Sequence, residues 1–192
     1  TYQALVNPLR RLGSFITGYT GISQDEVDQA PPFSSLTSGL LSFIGGSPIV
    51  GHNIAFDLGF FASKGIHLAN PRSDTWDMAY VLHPELTAYS LGEVAKSLGV
   101  SHARPHRALE DAIATKEIFI RLAIELSMLD VFTLAQMQSL AVRSGWLFHP
   151  DAFLQLLRSR PLADHSEADD VIRSPLRDLP VPYSQESRTG TV

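Results

Sequence analysis

Ser101-His-Ala-Arg-Pro-His-Arg-Ala-Leu-Glu-Asp-Ala112 sets a His and an Asp at the mouth of what reads as a long helix. From Ala108 onward, Leu109, Ala112, Ile113, Leu122, Ala123 and Leu126 keep a helical period. This predicts a helix from Ala108 to about Met128 with Asp111 in its first turn. Residues five apart on a continuous helix point roughly 140° away from each other. His106 and Asp111 therefore converge only if His106 lies in the entering loop, and Pro105 favours that by disfavouring helical geometry around it. A loop imidazole beside a helix-anchored carboxylate suits a base working next to a metal. The plain alternative is a surface or capping His and an Asp placed by the helix dipole.

Working outward, Pro48-Ile-Val-Gly-His52 reads as a short buried strand running into Asn53-Ile-Ala-Phe-Asp57 and a helix carrying Leu58, Phe60, Phe61 and Ala62. That puts a carboxylate near a strand's carboxyl end, where open α/β sheets assemble their sites. By local preference alone, Asn53 caps the helix, Phe56 packs inward and Asp57 complements the dipole, which leaves His52 without a role. Ser73-Asp-Thr-Trp76 is expected to end a second strand, residues 77–82 to form a short helix, and Ser90-Leu-Gly-Glu93 to open another through a capping box. Asp74 and Asp77 stand at element boundaries, where caps explain them. His67, His83 and His102 lack spaced partners and read as surface residues.

Thr1 to Pro8 alternates like a strand, with Tyr2 to Val6 as its body, and Ile16-Thr-Gly-Tyr-Thr-Gly-Ile22 reads as a loop. Ser23-Gln-Asp-Glu26 is a capping box for a short helix to about Gln29, stopped by Pro31-Pro32. Phe33, Leu36, Leu40, Leu41, Phe43 and Ile44 mark an amphipathic helix with a core-facing stripe, ended by Gly45-Gly46. Beyond the long helix, another is expected over residues 131–143, then Trp146-Leu-Phe-His-Pro150 and a short helix around Phe153 to Leu157. After Arg160 the composition is that of a linker. The organisation expected is a domain over residues 1–128, a helical extension over 129–160 and a tail over 161–192.

At 192 residues, 44% hydrophobic and 18% charged, the chain has material for one full core and a small appendage. It contains no Cys, which excludes disulfides and thiolate metal sites; carboxylates then point to magnesium or manganese. A net charge of -5 argues against gripping nucleic acid by bulk electrostatics. No apolar run approaches the roughly 20 residues of a membrane span and no signal peptide is visible, so a cytoplasmic location without membrane attachment is expected.

His52-Asn-Ile-Ala-Phe-Asp57, followed by His106-Arg-Ala-Leu-Glu-Asp111, resembles the second and third motifs of the DnaQ-like (DEDDh) 3′ to 5′ exonucleases. The resemblance extends over residues 2–127 and takes in Val6-Asn-Pro8, Ile16-Thr-Gly18, Thr20-Gly-Ile22, Asp74-Thr75 and Ser90-Leu91. It implies an α/β, ribonuclease H-like fold, a mixed sheet flanked by helices, in which four acids hold two divalent cations, Mg²⁺ or Mn²⁺. By match of motif, Asp57 and Asp111 are metal ligands and His106 the general base. His52, Asn53 and Phe56 shape the site around the terminal nucleotide, and Arg104 and Arg107 are candidate phosphate contacts. The family's Asp-x-Glu motif has no counterpart here, so the chain is expected to lack the fold's first strands and to be nearly inactive alone. Two functions stay open. One is an exonuclease on single-stranded or frayed 3′ ends of DNA or RNA, in replication or repair, attached to a polymerase or helicase. The other is a non-catalytic nucleic-acid-binding or docking module that kept the fold.

Overall fold

Two short strands and the helix between them position the site. In the computed structural model, which describes residues 1–102 and 106–144, β1 (Ile49–Gly51) pairs in parallel with β2 (Arg72–Asp74). Ile49 lies opposite Arg72, Val50 opposite Ser73 and Gly51 opposite Asp74. A parallel pair needs a crossover, and here it contains the helix Ile54–Ser63. The architecture is thus α/β; the mixed sheet expected from the resemblance is represented among the described residues by this parallel pair. The chain divides into two units, Thr1–Arg121 and Leu122–Val192.

Within the first unit the capping residues set the helix boundaries. The segment expected as a loop is instead α1 (Ser14–Thr20). Within it the Thr20 hydroxyl, which a loop would leave to compete for other backbone groups, donates to the Ile16 carbonyl at 2.8 Å, and Gly21 (φ 66°) adopts the left-handed geometry that ends a helix, its N–H bonding Thr17 O. α2 (Gln24–Asp28) carries the expected capping box, with Ser23 and Glu26 satisfying each other's backbone N–H. α3 (Phe33–Ile44) ends at Gly45 as its sequence predicts, but its stripe is not core. None of its residues is fully buried, and Leu41 and Phe43 are exposed. The expected strand from Tyr2 to Val6 is absent as well. Asn7 makes one isolated bridge to Pro32 and turns its side chain onto Leu9 N, so an alternating pattern without consecutive backbone partners makes no ladder.

α4 (Ile54–Ser63), α5 (Thr75–Leu82) and α6 (Leu91–Ser97) follow the expected order. Ile54, Met78, Ala79, Val94 and Ala95 are buried on them, joined by Ala114 and Ile118 of α7 (Ala108–Met128). Full burial of a side chain such as Ile54 contributes about 1.5–3 kcal/mol. Gly51 is required where β1 meets α4: a Cβ there would stand 2.7 Å from Ile54 Cγ1 and 3.2 Å from the Ile54 Cα. Gly51→Ala is expected to destabilise the fold by about 1–3 kcal/mol through overpacking, read as a lower urea midpoint at unchanged slope.

In the second unit, α8 (Val131–Ser144) is opened by Asp130, whose carboxylate accepts from Thr133 N at 2.9 Å and Thr133 Oγ1 at 2.7 Å. Leu122, Leu126, Leu134 and Ala135 are its buried apolar residues. The expectations for Arg104, Pro105, residues 145–150, the Phe153–Leu157 helix and the tail fall outside the described residues. Among the described residues, no helix is long and apolar enough to cross a membrane.

Candidate active site

Asp57 stands in the first turn of α4 and Asp111 in the first turn of α7. Both line one cavity of about 470 Å³, walled by Gly51 and His52 from the end of β1, Phe56 from α4 and Thr115 and Lys116 from α7. At a helix N-terminus the aligned backbone dipoles favour the ionised form of a carboxylate. Asp57 is exposed as a residue, yet its carboxyl lies in the cavity wall, and the loss of solvent there pushes its pKa up. A divalent cation reverses that balance by favouring the charged form.

The geometry around His106 is not that of a simple His–Asp pair. His106 sits in the turn before α7 with φ 69°, a left-handed conformation, and its backbone N–H donates to Asp111 Oδ1 at 3.2 Å. The two residues do converge from loop and helix, as their spacing requires, but through the backbone. The imidazole stacks on Tyr19 with ring centroids 3.6 Å apart, and Phe15 stacks on Tyr19 in turn. Arg107 reaches back to donate to Gly21 O at 3.3 Å, so both residues of the turn rest on the α1 end of the fold. The side chain that touches Asp111 is His102, with Nε2 at 2.7 Å from Oδ1. The expectation of His102 as a plain surface residue is therefore wrong. A pair nine positions apart across a turn carries no periodic signal by which its sequence could have disclosed it.

His52 has a fixed orientation. Its Nε2 lies 2.8 Å from the Tyr89 carbonyl, which can only accept, so Nε2 carries the hydrogen. Burial pushes its pKa down, and Nδ1 lies 2.9 Å from the Thr75 hydroxyl, which itself donates to the Gly51 carbonyl at 3.1 Å. Asn53 is at the N-cap position of α4 but makes no side-chain capping bond, contrary to its local preference; its φ of 57° is left-handed, which Asn tolerates. Asp74 caps instead. It accepts from Asn53 N at 2.8 Å and Ile54 N at 3.1 Å, and from Trp76 N of its own helix at 2.9 Å. Phe56, expected to pack inward, is 75% exposed at the cavity's mouth because it lies on the outer side of a helix whose buried contact is made by Ile54.

Oxygen donors on one cavity fit a hard cation such as Mg²⁺, which commonly takes one or two carboxylates and completes its shell with water and phosphate oxygens. Among the described residues no group of three or more His, Asp or Glu forms a metal cluster, and Asp57 and Asp111 are the acids that line this cavity.

Two acids at helix mouths beside a strand end leave the chemistry open, and sequence comparison narrows it. The exonuclease family model, RNase_T, matches residues 1–119. The chain belongs to this family, in its DnaQ-like branch. It is 34% identical over 143 residues to a PolC-type DNA polymerase III of Caldanaerobacter subterraneus, covering 72% of this chain and 10% of that protein. The corresponding enzyme of Clostridium perfringens is 37% identical over 142 residues, covering 70% and 10%. The 3′-5′ exonuclease DinG of Bacillus subtilis is 32% identical over 145 residues, covering 73% and 16%. The chain thus spans a small part of the curated relatives it matches.

Proposed function

We infer that this chain is the 3′ to 5′ exonuclease part of a larger cytoplasmic protein, hydrolysing single-stranded or frayed 3′ ends of DNA beside polymerase or helicase regions. RNA shares the scissile phosphodiester and is an outcome of the test. The observation that supports the reading most is the placement of Asp57 and Asp111 on one cavity at the mouths of two helices. Residues 1–128 make the nuclease domain in this reading; residues 145–160 of the extension expected over 129–160 and all of the tail over 161–192 lie outside the described residues.

Asp57 and Asp111 would hold Mg²⁺ or Mn²⁺, and the cation would supply charge neutralisation at phosphate and activation of water. The protein's own groups do the rest. His106 would take the proton from the attacking water; its imidazole is stacked on Tyr19 outside the cavity lining, so this role requires the ring to turn toward the carboxylates. His52, locked between Thr75 and Tyr89, and Asn53, held by Asp74, give the terminal nucleotide a rigid floor. Phe56 offers an exposed ring for base stacking, worth about 1–3 kcal/mol per base, and Arg107 a phosphate contact.

The test is Mg²⁺-dependent release of mononucleotides from a labelled single strand by the complete protein, with DNA and RNA in parallel and the 192-residue chain alongside. Two carboxylates leave a pair of cations poorly screened from each other, so the chain alone is expected to be nearly inactive. Absence of 3′ products from the complete protein rejects the reading. His106→Ala is expected to lower turnover about 10²- to 10⁴-fold while Mn²⁺ affinity stays as it was. Loss of the metal in that variant would make His106 a ligand rather than a base.

A further inference from the structure

We propose that His102 is a positioning residue for the active site, holding the Asp111 carboxylate in the orientation that receives a divalent cation. This rests on the assignment of Asp111 as a ligand.

The contact is short and well enclosed. His102 Nε2 lies 2.7 Å from Asp111 Oδ1, at the short end of the range for charge-assisted bonds, and only 10% of the imidazole side chain is exposed. A carboxylate oxygen can only accept, so Nε2 carries the hydrogen. The same Oδ1 accepts the His106 N–H at 3.2 Å. Among the described residues, both donors to this carboxylate therefore meet one oxygen. Two donors on Oδ1 arriving from different directions also fix the rotation of the carboxylate, which one bond would not.

The fold makes room for this ring. A Cβ at Gly92 in the first turn of α6 would stand 4.0 Å from His102 Nδ1, so the imidazole lies near that turn while its Nε2 bonds Asp111 of α7. Groups that hydrogen-bond a metal ligand orient it and tune it, and their removal typically lowers metal affinity or activity about 10- to 100-fold.

The experiment measures Mn²⁺ binding to the complete protein by electron paramagnetic resonance, together with kcat and KM on a labelled single strand, for His102→Ala, His102→Gln and Asp111→Asn. The expected result is a 10- to 100-fold weaker Mn²⁺ affinity and a lower kcat in His102→Ala. KM for DNA should stay within about twofold, because His102 is not among the residues that line the cavity. The Gln variant, whose side-chain amide can donate where Nε2 does, should recover most of both losses. A merely space-filling role predicts no such recovery. Should His102→Ala fail to fold, His102→Leu, which fills the space without a donor, replaces it in the comparison with Gln. Wild-type Mn²⁺ affinity in the donor-free variant, with affinity lost in Asp111→Asn, overturns the role of His102 and leaves the ligand assignment standing. Wild-type affinity in Asp111→Asn as well overturns both.

Discussion

Asp57→Ala and Asp111→Ala are each expected to lower release of 3′ mononucleotides by the complete protein about 10³-fold or more, since metal stabilisation of a phosphoryl transition state is worth several kcal/mol and about 1.4 kcal/mol is tenfold. The expectation is this large because Asp57 and Asp111 are, among the described residues, the acids that line the cavity. Losing either removes half of that anionic charge. Stability should move much less. Asp57 lies on an exposed face of α4, so its loss removes a dipole interaction worth about 0.3–1 kcal/mol. Asp111 also gives up its bonds to His102 and His106, so Asp111→Asn is the better fold control there. Mn²⁺ binding and thermal melting separate the two effects. Activity within tenfold of wild type in either Ala variant would remove that residue from the ligand set.

How far the sequence disclosed this arrangement depended on whether the cause was local. The boundaries of α2, α3 and α7 follow from the Ser23–Glu26 capping box, from Gly45 and from the apolar period after Ala108, all of which act within a turn or two of the chain. The neighbourhood of Asp57 and Asp111 was legible as well, because a strand end and a helix mouth both face the same way in an α/β layer. Errors arose where a distant group overrode the local preference. Asn53 has the side chain of a cap, yet Asp74, 21 positions later, supplies the acceptor and frees Asn53 to adopt a left-handed backbone. Tyr19 reads as part of a polar loop, but the segment is a helix ended at Gly21, and its aromatic ring meets His106, 87 positions later. Phe56 and the α3 stripe carry core-like residues without core-like burial. Hydrophobic period gives a helix its face, but only the neighbours decide whether that face is covered.

The second large effect concerns stability and falls on Asp74. Its carboxylate, 1% exposed, accepts three backbone N–H groups and so closes the mouths of α4 and α5 together. Asp74→Ala leaves those donors without an acceptor in a buried place, at roughly 1–3 kcal/mol each. Partial repair by water still leaves an expected loss of about 3–5 kcal/mol, a large share of the 5–15 kcal/mol typical of a domain. Asp74→Asn keeps an oxygen for Asn53 and Trp76 but turns an amide toward Ile54 N, and should lose less. The pH dependence gives the sharper distinction. Burial and the nearby Asp77 raise the Asp74 pKa from 3.8 to about 6, against the pull of its three N–H bonds. Between those values the folded protein holds a proton that the unfolded chain has released, so this group stabilises the fold as pH falls from about 6 toward 3.8. At roughly 1.4 kcal/mol per pKa unit, the difference should approach 3 kcal/mol. His52, buried and with its pKa pushed down, has the opposite slope below its ordinary value, but it is common to wild type and the Asn variant and cancels between them. The stability gap between wild type and Asp74→Asn should therefore widen as pH is lowered from 7 to 4, measured as urea unfolding free energy at each pH. A gap that is constant or narrows would mean that the three N–H bonds hold Asp74 ionised throughout, and that its burial carries no proton.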